Sequence, residues 1–357
     1  MTHKNQTGNK FMLFLIIWSL VSQIVLYAAL LVISGGDDAR ITSILISPWT
    51  LIFNQLLMFI LPLGVWLLIK KDSLKSNLPN QPLGGMNIIM LVALSFLLQP
   101  LMMTIGGISG LFFHNYIADV LYGFMQYPLW LTLLAIAVTP AICEELVFRG
   151  YIQSQHRGHS IRKIALINGL FFAIIHLNLQ QFAYTFVLGV IIAYMVHYTR
   201  SIWAGILPHF IINASQSLMG RLVSDIGTDA AAPPPDRLIA TVSYEVEAVI
   251  VMAVFTLLIS PILIVVFRAF LKHNRSRMAE PAAQDSDSRY YDYENHEAMS
   301  HEYQTFETQS YEPPTPEPQP QEPQQAPPQE APRAIIDRYA IGVIVIYALI
   351  IALLMAA

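Results

Sequence analysis

The chain of 357 residues is 55% hydrophobic and 12% charged, with a mean hydropathy of +0.51 and a formal net charge of −4. Soluble domains carry about 25% charged residues, so the composition excludes an ordinary soluble protein, and we predict no nucleic-acid partner. The single cysteine, Cys143, excludes an intramolecular disulfide and any metal site built from clustered cysteines.

The apolar runs predict an all-α fold, a polytopic transmembrane helical bundle. A transmembrane helix needs about 20 predominantly apolar residues. This criterion predicts about nine spans, at 11–33, 48–69, 87–110, 129–149, 161–178, 181–198, 202–219, 247–270 and 335–355. The first run is longer than the apolar region of a signal peptide, which is about 7–15 residues, so we expect it to be retained.

Basic residues on alternate connections predict the orientation. Lysines or arginines follow the second, fourth, sixth and eighth predicted spans, whereas the loop 111–128 has none. By the positive-inside rule the N-terminus is cytoplasmic and the C-terminus lies outside. We therefore expect a multi-pass integral protein of the bacterial cell membrane, with membrane lipid as its surroundings.

The composition also predicts a division of the chain into five parts. Transmembrane helices fill 1–128, a polar-centred core fills 129–220, and an outer loop with the eighth span fills 221–277. The segment 278–333 is rich in Pro, Gln and Glu and cannot bury enough apolar surface to order, so we predict a disordered cytoplasmic linker. A transmembrane helix at 334–357 ends the chain. A cytoplasmic partner for the acidic segment is a second candidate role.

Two adjacent glutamates and an arginine end the fourth apolar run. Charge inside a membrane helix costs about 2.5–3.5 kcal/mol on insertion scales, so such a cluster indicates function. Glu145 and Arg149 are spaced i, i+4 with the acid first, the better orientation for an intrahelical ion pair. Glu144 has Phe148 at i+4 and therefore remains available to another helix.

Three further polar residues lie in the next apolar runs. His176 ends LFFAIIH, with Phe172 one turn earlier on the same face. His209 and Asn213 are four residues apart in ILPHFIINAS and share a face. Pro208 removes a helical hydrogen bond beside them. Spacing alone leaves a functional site and polar packing between helices equally open.

A carboxylate, two histidines and an amide together indicate hydrolysis by an activated water. A carboxylate near His176 can act as general base, and His209 and Asn213 can donate hydrogen bonds to the oxyanion formed on a carbonyl. A divalent metal such as zinc, held by Glu144, His176 and His209, is an alternative. No cofactor is certain, and the sequence does not separate these two mechanisms.

Three motifs resemble those of the CPBP family of intramembrane proteases. EELVFRG at 144–150, FAIIH at 172–176 and HFIIN at 209–213 match the family's EExxxR, FxxxH and HxxxN patterns in order. The family contains type II CAAX prenyl endopeptidases and bacteriocin-processing or immunity relatives. The similarity covers about 129–220, which would be the catalytic core.

The resemblance implies an endopeptidase in which Glu144 and His176 activate water and His209 and Asn213 stabilise the transition state. Glu145, Arg149 and Phe172 would support them. It implies a peptide or protein substrate, prenylated or membrane-anchored. A non-proteolytic membrane scaffold or bacteriocin-immunity factor is the alternative from another class.

Two weaker nucleophile patterns compete with these residues. GISG at 107–110 fits the GxSG pattern of rhomboid-type serine proteases, and Cys143 beside Glu144 offers a thiol. Small residues are common in membrane helices, and a buried cysteine usually behaves as a small hydrophobe. We therefore favour the glutamate over both.

The predicted boundaries leave the motif residues at different depths. Glu144 falls near one end of its span and His176 near the opposite end of the next, about 15–20 Å apart at 1.5 Å per residue. We therefore expect the helix that carries Glu144 to continue past Arg149 to about Gln155.

Overall fold

The fold is all α-helical in the part of the chain that the computed structural model describes, which is residues 4–115, 120–121, 123–226, 238–279 and 334–356. The helices are α1 (Lys4–Ser34), α2 (Asp38–Leu45), α3 (Pro48–Lys70), α4 (Leu74–Asn77), α5 (Gly85–Gly110), α6 (Leu129–Gln155), α7 (Ile161–Ile175), α8 (Leu179–Thr199), α9 (Trp203–Ile226), α10 (Leu238–Ala279) and α11 (Arg338–Ala356). The predicted disordered linker lies outside the described residues from 280 to 333. The predicted all-α bundle is confirmed.

Each predicted span overlaps one of these helices. Within the described ranges, six helices are long and apolar enough to cross a membrane, namely α3, α5, α6 and α8 together with Thr7–Ser34 of α1 and Glu245–Arg275 of α10. The helix α7 has 15 residues, and polar residues interrupt α9. The apolar part of α11, Arg338–Leu353, is also shorter. The polytopic character is confirmed, whereas the count of nine spans and their orientation stay predictions.

Two large apolar clusters hold most of the helices together, and a smaller third one joins α7 to α8. One joins side chains of α1, α3, α6, α7 and α11, including Phe11, Trp66 and Tyr151. The other joins α5, α8, α9 and α10, including Leu94 and Phe270. The polar residues of α6 reach from the first cluster to α8 and α9 in the second, so the candidate site lies between the two clusters.

Glycines allow α7 and α8 to approach closely. A Cβ added at Gly169 would lie 2.8 Å from the carbonyl oxygen of Phe186, and one added at Gly189 would lie 2.8 Å from the Cα of Gly169. Small residues at membrane helix interfaces let backbones meet in this way. The contact brings the backbone of α8 within reach of side chains on α6.

The predicted end of the fourth span at 149 is wrong, and the expected extension to Gln155 is confirmed. The helix continues because Arg149 and Gln153 find buried partners, so these polar residues do not end it. From the loop that joins α6 to α7, Glu144 lies about 16 Å deep and His176 about 22 Å deep at 1.5 Å per residue. The remaining difference of about 6 Å lies within the reach of long side chains.

Candidate active site

Helix α6 contains irregular turns on both sides of the two glutamates. Its π-helical turns span Leu134–Val138 and Leu146–Ile152. Pro140 has no N–H to donate to the carbonyl of Ile136 four residues earlier. The side-chain Nδ2 of Asn213 donates to that carbonyl at 3.1 Å. The proline therefore creates an acceptor on α6 that holds Asn213 of α9 against it.

Glu145 is the fully buried acceptor of the site. Its Oε1 accepts from Nη1 of Arg149 at 2.9 Å and from Nδ1 of His209 at 2.9 Å. The predicted intrahelical ion pair is present, and both of its side chains are 0% exposed. Arg149 also donates from Nη2 to the carbonyl of Gly189 at 3.1 Å. One carboxylate thus links α6 to α9, and its arginine links α6 to α8.

Glu144 has a different environment from its neighbour. Nε2 of Gln55, on α3, donates to its Oε1 at 3.1 Å. Its Oε2 lies 3.9 Å from Nε2 of His209, which is too long for a direct hydrogen bond. In the described part of the chain this carboxylate therefore has one neutral donor, whereas Glu145 has a guanidinium and an imidazole.

Phe172 lies at the centre of the three motifs. Its ring centroid is 4.5 Å from the guanidinium carbon of Arg149. The His176 and His209 rings meet it edge to face, with centroids 5.0 Å and 5.8 Å away. Edge-to-face contacts between aromatic rings are attractive, and so is the contact of a cation with the face of a ring. The phenylalanine therefore orients residues from all three motifs.

His176 caps α7 and faces the same cluster. Its Nδ1 lies 2.6 Å from the carbonyl oxygen of Phe172, to which it donates. That hydrogen bond leaves Nε2 as the ring nitrogen available to a ligand. The ring lies within electrostatic range of Glu144 and His209. Glu144, His176 and His209 therefore lie in one region, whereas Asn213 is held against α6 at the carbonyl of Ile136.

Gly205 makes room for the buried carboxylate. A Cβ at this position of α9 would overlap Oε2 of Glu145 and would lie 3.1 Å from Cγ2 of Val196. That Oε2 is buried with no hydrogen-bond partner among the described residues. The absence of a side chain at 205 therefore lets α9 approach α6 closely enough for His209 to reach Glu145.

The candidate metal ligands do not form a metal site in the described part of the chain. No group of three His, Cys, Asp or Glu residues there is placed to hold an ion. Of the proposed ligands, His209 uses Nδ1 on Glu145, and its Nε2 is 3.9 Å from Glu144. The donor set does not fit a three-ligand zinc site, for which Zn–N and Zn–O distances are about 2.0–2.2 Å.

The two competing nucleophiles lie in ordinary packing positions. Ser109 is near the end of α5, and none of the hydrogen bonds found among the described residues joins it to a histidine. Cys143 is buried within the first apolar cluster. Among the residues that the structure describes, neither position has the hydrogen-bonded base that a serine or cysteine nucleophile needs.

The fold and the buried Glu, Arg and His cluster define a polytopic helical membrane protein with a buried polar centre. Residues 126–215 match the family model of type II CAAX prenyl endopeptidase Rce1-like proteins. The matched segment overlaps the predicted core at 129–220 and supports the predicted resemblance to the CPBP family of intramembrane proteases, which is a family of peptidases. No curated protein and no solved structure matches the chain.

The sequence did not single out several residues that build the site. Gln55 contacts Glu144, Gly205 accommodates Glu145, and Gly189 accepts from Arg149. Asn168 of α7 also donates to the carbonyl of Phe148 at 2.8 Å. Gln55 and Asn168 each left a signal, as a polar side chain inside an apolar run.

Proposed function

We propose that this protein is an intramembrane endopeptidase that cleaves a peptide bond in or near the membrane with a water activated by Glu144. The observation that carries this proposal is the unequal environment of the two adjacent glutamates. Glu145 is held by Arg149 and His209, whereas Glu144 has a single neutral hydrogen-bond donor. A carboxylate not consumed by an ion pair is the one able to accept a proton.

The attacking water would bind between Glu144 and the two histidines. Oε2 of Glu144 and Nε2 of His209 are 3.9 Å apart, a separation that a single bridging water spans with two ordinary hydrogen bonds. His176, with Nδ1 engaged by its own helix, would offer Nε2 to the same water. Glu144 and His176 together would orient the water, and Glu144 would take its proton.

The reaction would proceed through a tetrahedral intermediate. The water oxygen forms a bond to the carbonyl carbon of the substrate while its proton passes to Glu144. The carbon–nitrogen bond then breaks, and Glu144 returns the proton to the leaving amine. The products are a carboxylate and a free amine, so atoms and charge balance without a further reactant.

His209 and Asn213 would stabilise the oxyanion. Ionised Glu144 and Glu145 together with charged Arg149 leave one negative charge, which a protonated His209 would neutralise. Buried charge is tolerated when it is paired. In that state Nδ1–H donates to Glu145, and Nε2–H, which holds the water before attack, would donate to the oxyanion once the tetrahedral intermediate has formed. Asn213 donates one N–H to Ile136 and retains its second.

The substrate proposal follows from the family and from the location of the site. A peptide or protein that is prenylated or otherwise anchored in the membrane would present its scissile bond at the depth of Glu144. The predicted core at 129–220 and the matched segment at 126–215 both contain every motif residue. The remaining helices would shape access from the lipid.

Comparison of protein termini in native membranes tests this proposal. Full-length wild type and a Glu144→Gln variant would be expressed in cells that lack the endogenous gene, and new N-termini would be quantified by mass spectrometry. Glu245→Gln, at an exposed position of α10, is the matched control. We expect a set of termini to appear with wild type and Glu245→Gln and to disappear with Glu144→Gln.

Equal termini for wild type and Glu144→Gln would contradict proteolysis. That result, together with an intact cellular phenotype, would favour the scaffold or immunity factor that uses the same fold. Gel-filtration elution and an unfolding temperature equal to those of wild type would show that Glu144→Gln is folded.

A further inference from the structure

One face of α9 stays free of apolar side chains beyond the candidate active site. Four positions have the spacing i, i+4, i+7 and i+11, namely His209, Asn213, Gln216 and Gly220. At about 100° per residue they point within about 60° of one another, and the last lies about 16 Å from the first along the axis. Asn213, Gln216 and Gly220 are partly exposed. The polar face therefore continues from the candidate site toward Arg221.

The opposite face of α9 is apolar and exposed. Leu218 lies about 180° from His209 around the helix, and Leu222 lies about 140° away. These two leucines are 43% and 55% exposed. A membrane helix presents apolar side chains to lipid, whereas its polar side chains turn toward the bundle or toward water. This pattern directs the polar face of α9 away from lipid.

The polar side chains on and beside this face are only partly engaged by the protein. Gln99 of α5 donates from Nε2 to Oγ of Ser215, and Gln216 donates from Nε2 to Oε1 of Gln99 at the long distance of 3.4 Å. Oγ of Ser217 is buried and has no hydrogen-bond partner in the described part of the chain. Buried polar groups without a protein partner are usually paired with ordered water. This stretch of α9 therefore favours water over apolar packing.

Helix α5 is bound to α8 and α10 beyond Gln99. Thr104 and Thr256 of α10 place their hydroxyl oxygens 2.8 Å apart, and Gln180 of α8 donates from Nε2 to the carbonyl of Gly106 at 3.2 Å. Within the described ranges, the hydrogen bonds between α5 and α9 all involve Gln99. These two helices are therefore joined at Gln99 and have different hydrogen-bond partners beyond it.

The far part of α9 is bound to the segment that precedes α6. Arg221 donates from Nη1 to the carbonyl of Tyr127 at 3.0 Å and from Nη2 to that of Met125 at 3.3 Å. Because α9 follows α6 here while α5 follows α8 and α10, we infer a cleft between α5 and α9. Gly220 agrees with such an opening, since an added Cβ there would meet no atom within 4 Å.

The inner end of this cleft reaches the candidate catalytic residues. Tyr184 of α8 packs on Gly106, where an added Cβ would lie 3.5 Å from its ring, and it lies within electrostatic range of Glu144. On the side of α9, Nε2 of His209 lies 3.9 Å from Oε2 of Glu144. Between His209 and Arg221 the sequence of α9 contains no charged residue, so the lining suits a neutral ligand such as water.

We propose that the polar face of α9 lines a water-filled cleft that leads from the Arg221 end of the helix to Glu144. Hydrolysis of each peptide bond consumes one water, which the hydrocarbon of a bilayer does not supply. The proposal rests on the proposed function only for the use that Glu144 makes of this water. Access of water can be measured without any cleavage, so the two proposals fail separately.

Reactivity of single cysteines tests the cleft in the full chain, purified and inserted into phosphatidylcholine nanodiscs that leave both membrane faces accessible. Gln216→Cys and Gly220→Cys lie on the polar face, and Leu218→Cys, at an intermediate depth on the opposite face, is the matched control. Attachment of a positively charged methanethiosulfonate reagent, which stays in water, would be followed by mass spectrometry of the intact protein. Wild type is the blank, because its single thiol, Cys143, is 3% exposed.

We expect Gln216→Cys and Gly220→Cys to react at least about tenfold faster than Leu218→Cys. The thiolate is the reactive form, and it is disfavoured where lipid replaces water. A loss of about 1.36 kcal/mol in its solvation lowers its fraction about tenfold. Gly220→Cys, which is nearer to the Arg221 end, should react at least as fast as Gln216→Cys.

Equal rates for Leu218→Cys and Gly220→Cys would overturn the proposal, as would no reaction of the folded polar-face variants under conditions in which the denatured proteins react. A higher rate for Gln216→Cys than for Gly220→Cys would place the entrance at the other end of α9 and would also overturn it. Should Gln216→Cys fail to fold, Gly220→Cys against Leu218→Cys decides the question, because position 220 has room for a side chain. Fast labelling together with unchanged termini in Glu144→Gln would support the cleft and contradict proteolysis.

Discussion

Replacing Gln55 with alanine should lower the rate of Glu144-dependent cleavage about tenfold. The amide Nε2 of Gln55 donates to Oε1 of Glu144 at 3.1 Å. A hydrogen bond to a charged group contributes about 1.5–3 kcal/mol. Since 3.1 Å is near the long end of the range for N–H···O bonds, we take the lower value, and 1.36 kcal/mol corresponds to about tenfold in rate.

The physical reason is loss of orientation. Among the described residues, Gln55 supplies the hydrogen bond that fixes the Glu144 carboxylate, because the nearest nitrogen of His209 is 3.9 Å away. A carboxylate free to rotate no longer holds the water at one angle to the scissile carbonyl. The alanine variant keeps both glutamates and both histidines, so its effect separates positioning from the chemistry of the base.

The assay is the rate at which Glu144-dependent termini form in membranes that contain equal amounts of each protein. Asn54→Ala is the matched control, because this neighbouring amide of α3 accepts from Nε2 of Gln23 at 2.6 Å and does not contact the glutamates. A rate for Gln55→Ala within about twofold of wild type, or equal losses in the two variants, would refute a positioning role for Gln55.

Three further predictions concern the packing around the site. Gly205→Ala should destabilise the protein by about 1–3 kcal/mol through overpacking against Glu145, as measured by thermal unfolding. Gly220→Ala, where an added Cβ meets nothing within 4 Å, is the control. Equal unfolding temperatures for the two variants would contradict the overpacking at Gly205. Arg149→Lys should cost about 1–3 kcal/mol, because one ammonium does not reproduce the forked contacts of a guanidinium; unchanged stability would show that the fork is dispensable. Burial lowers the pKa of His156, which follows α6, to about 4. The stability that neutral His156 contributes is therefore complete above its unfolded pKa of about 6.5 and declines as the pH falls toward 4, by about 2 kcal/mol at pH 5. The drop in unfolding temperature from pH 7 to pH 5 should be smaller in His156→Gln than in wild type, and an equal drop would contradict the lowered pKa.

The helices and the motif residues could be predicted because both leave local signals. Long apolar runs predict membrane helices, and Glu145 and Arg149 show their pairing by a spacing of four residues. Gln55 left only the weaker signal of an amide in an apolar run. It lies 89 residues before Glu144, so no local periodicity connects the two, and only the packing of α3 against α6 brings them together.

The end of α6 could not be predicted from hydropathy alone. The sequence RGYIQSQ after Phe148 carries several polar groups, and polar groups usually mark the end of a span. Here Arg149 binds Glu145 and Gly189, and Gln153 binds the carbonyl of Ala193. A polar residue stays inside a helical bundle when its partners are supplied by neighbouring helices, and those partners are not visible in the local sequence.

The different environments of Glu144 and Glu145 depend on glycines, which have no side chain. Gly205 lets α9 bring His209 to Glu145, and Gly189, packed on Gly169, lets α8 present a carbonyl to Arg149. With Glu145 engaged on both sides, Glu144 is the carboxylate left for a water. A larger residue at 205 would leave the sequence spacing of every motif unchanged but would push α9 away from α6. His209 would then no longer bind Glu145 in preference to Glu144. The charged motif therefore specifies the chemistry only where the glycines set the distances between helices.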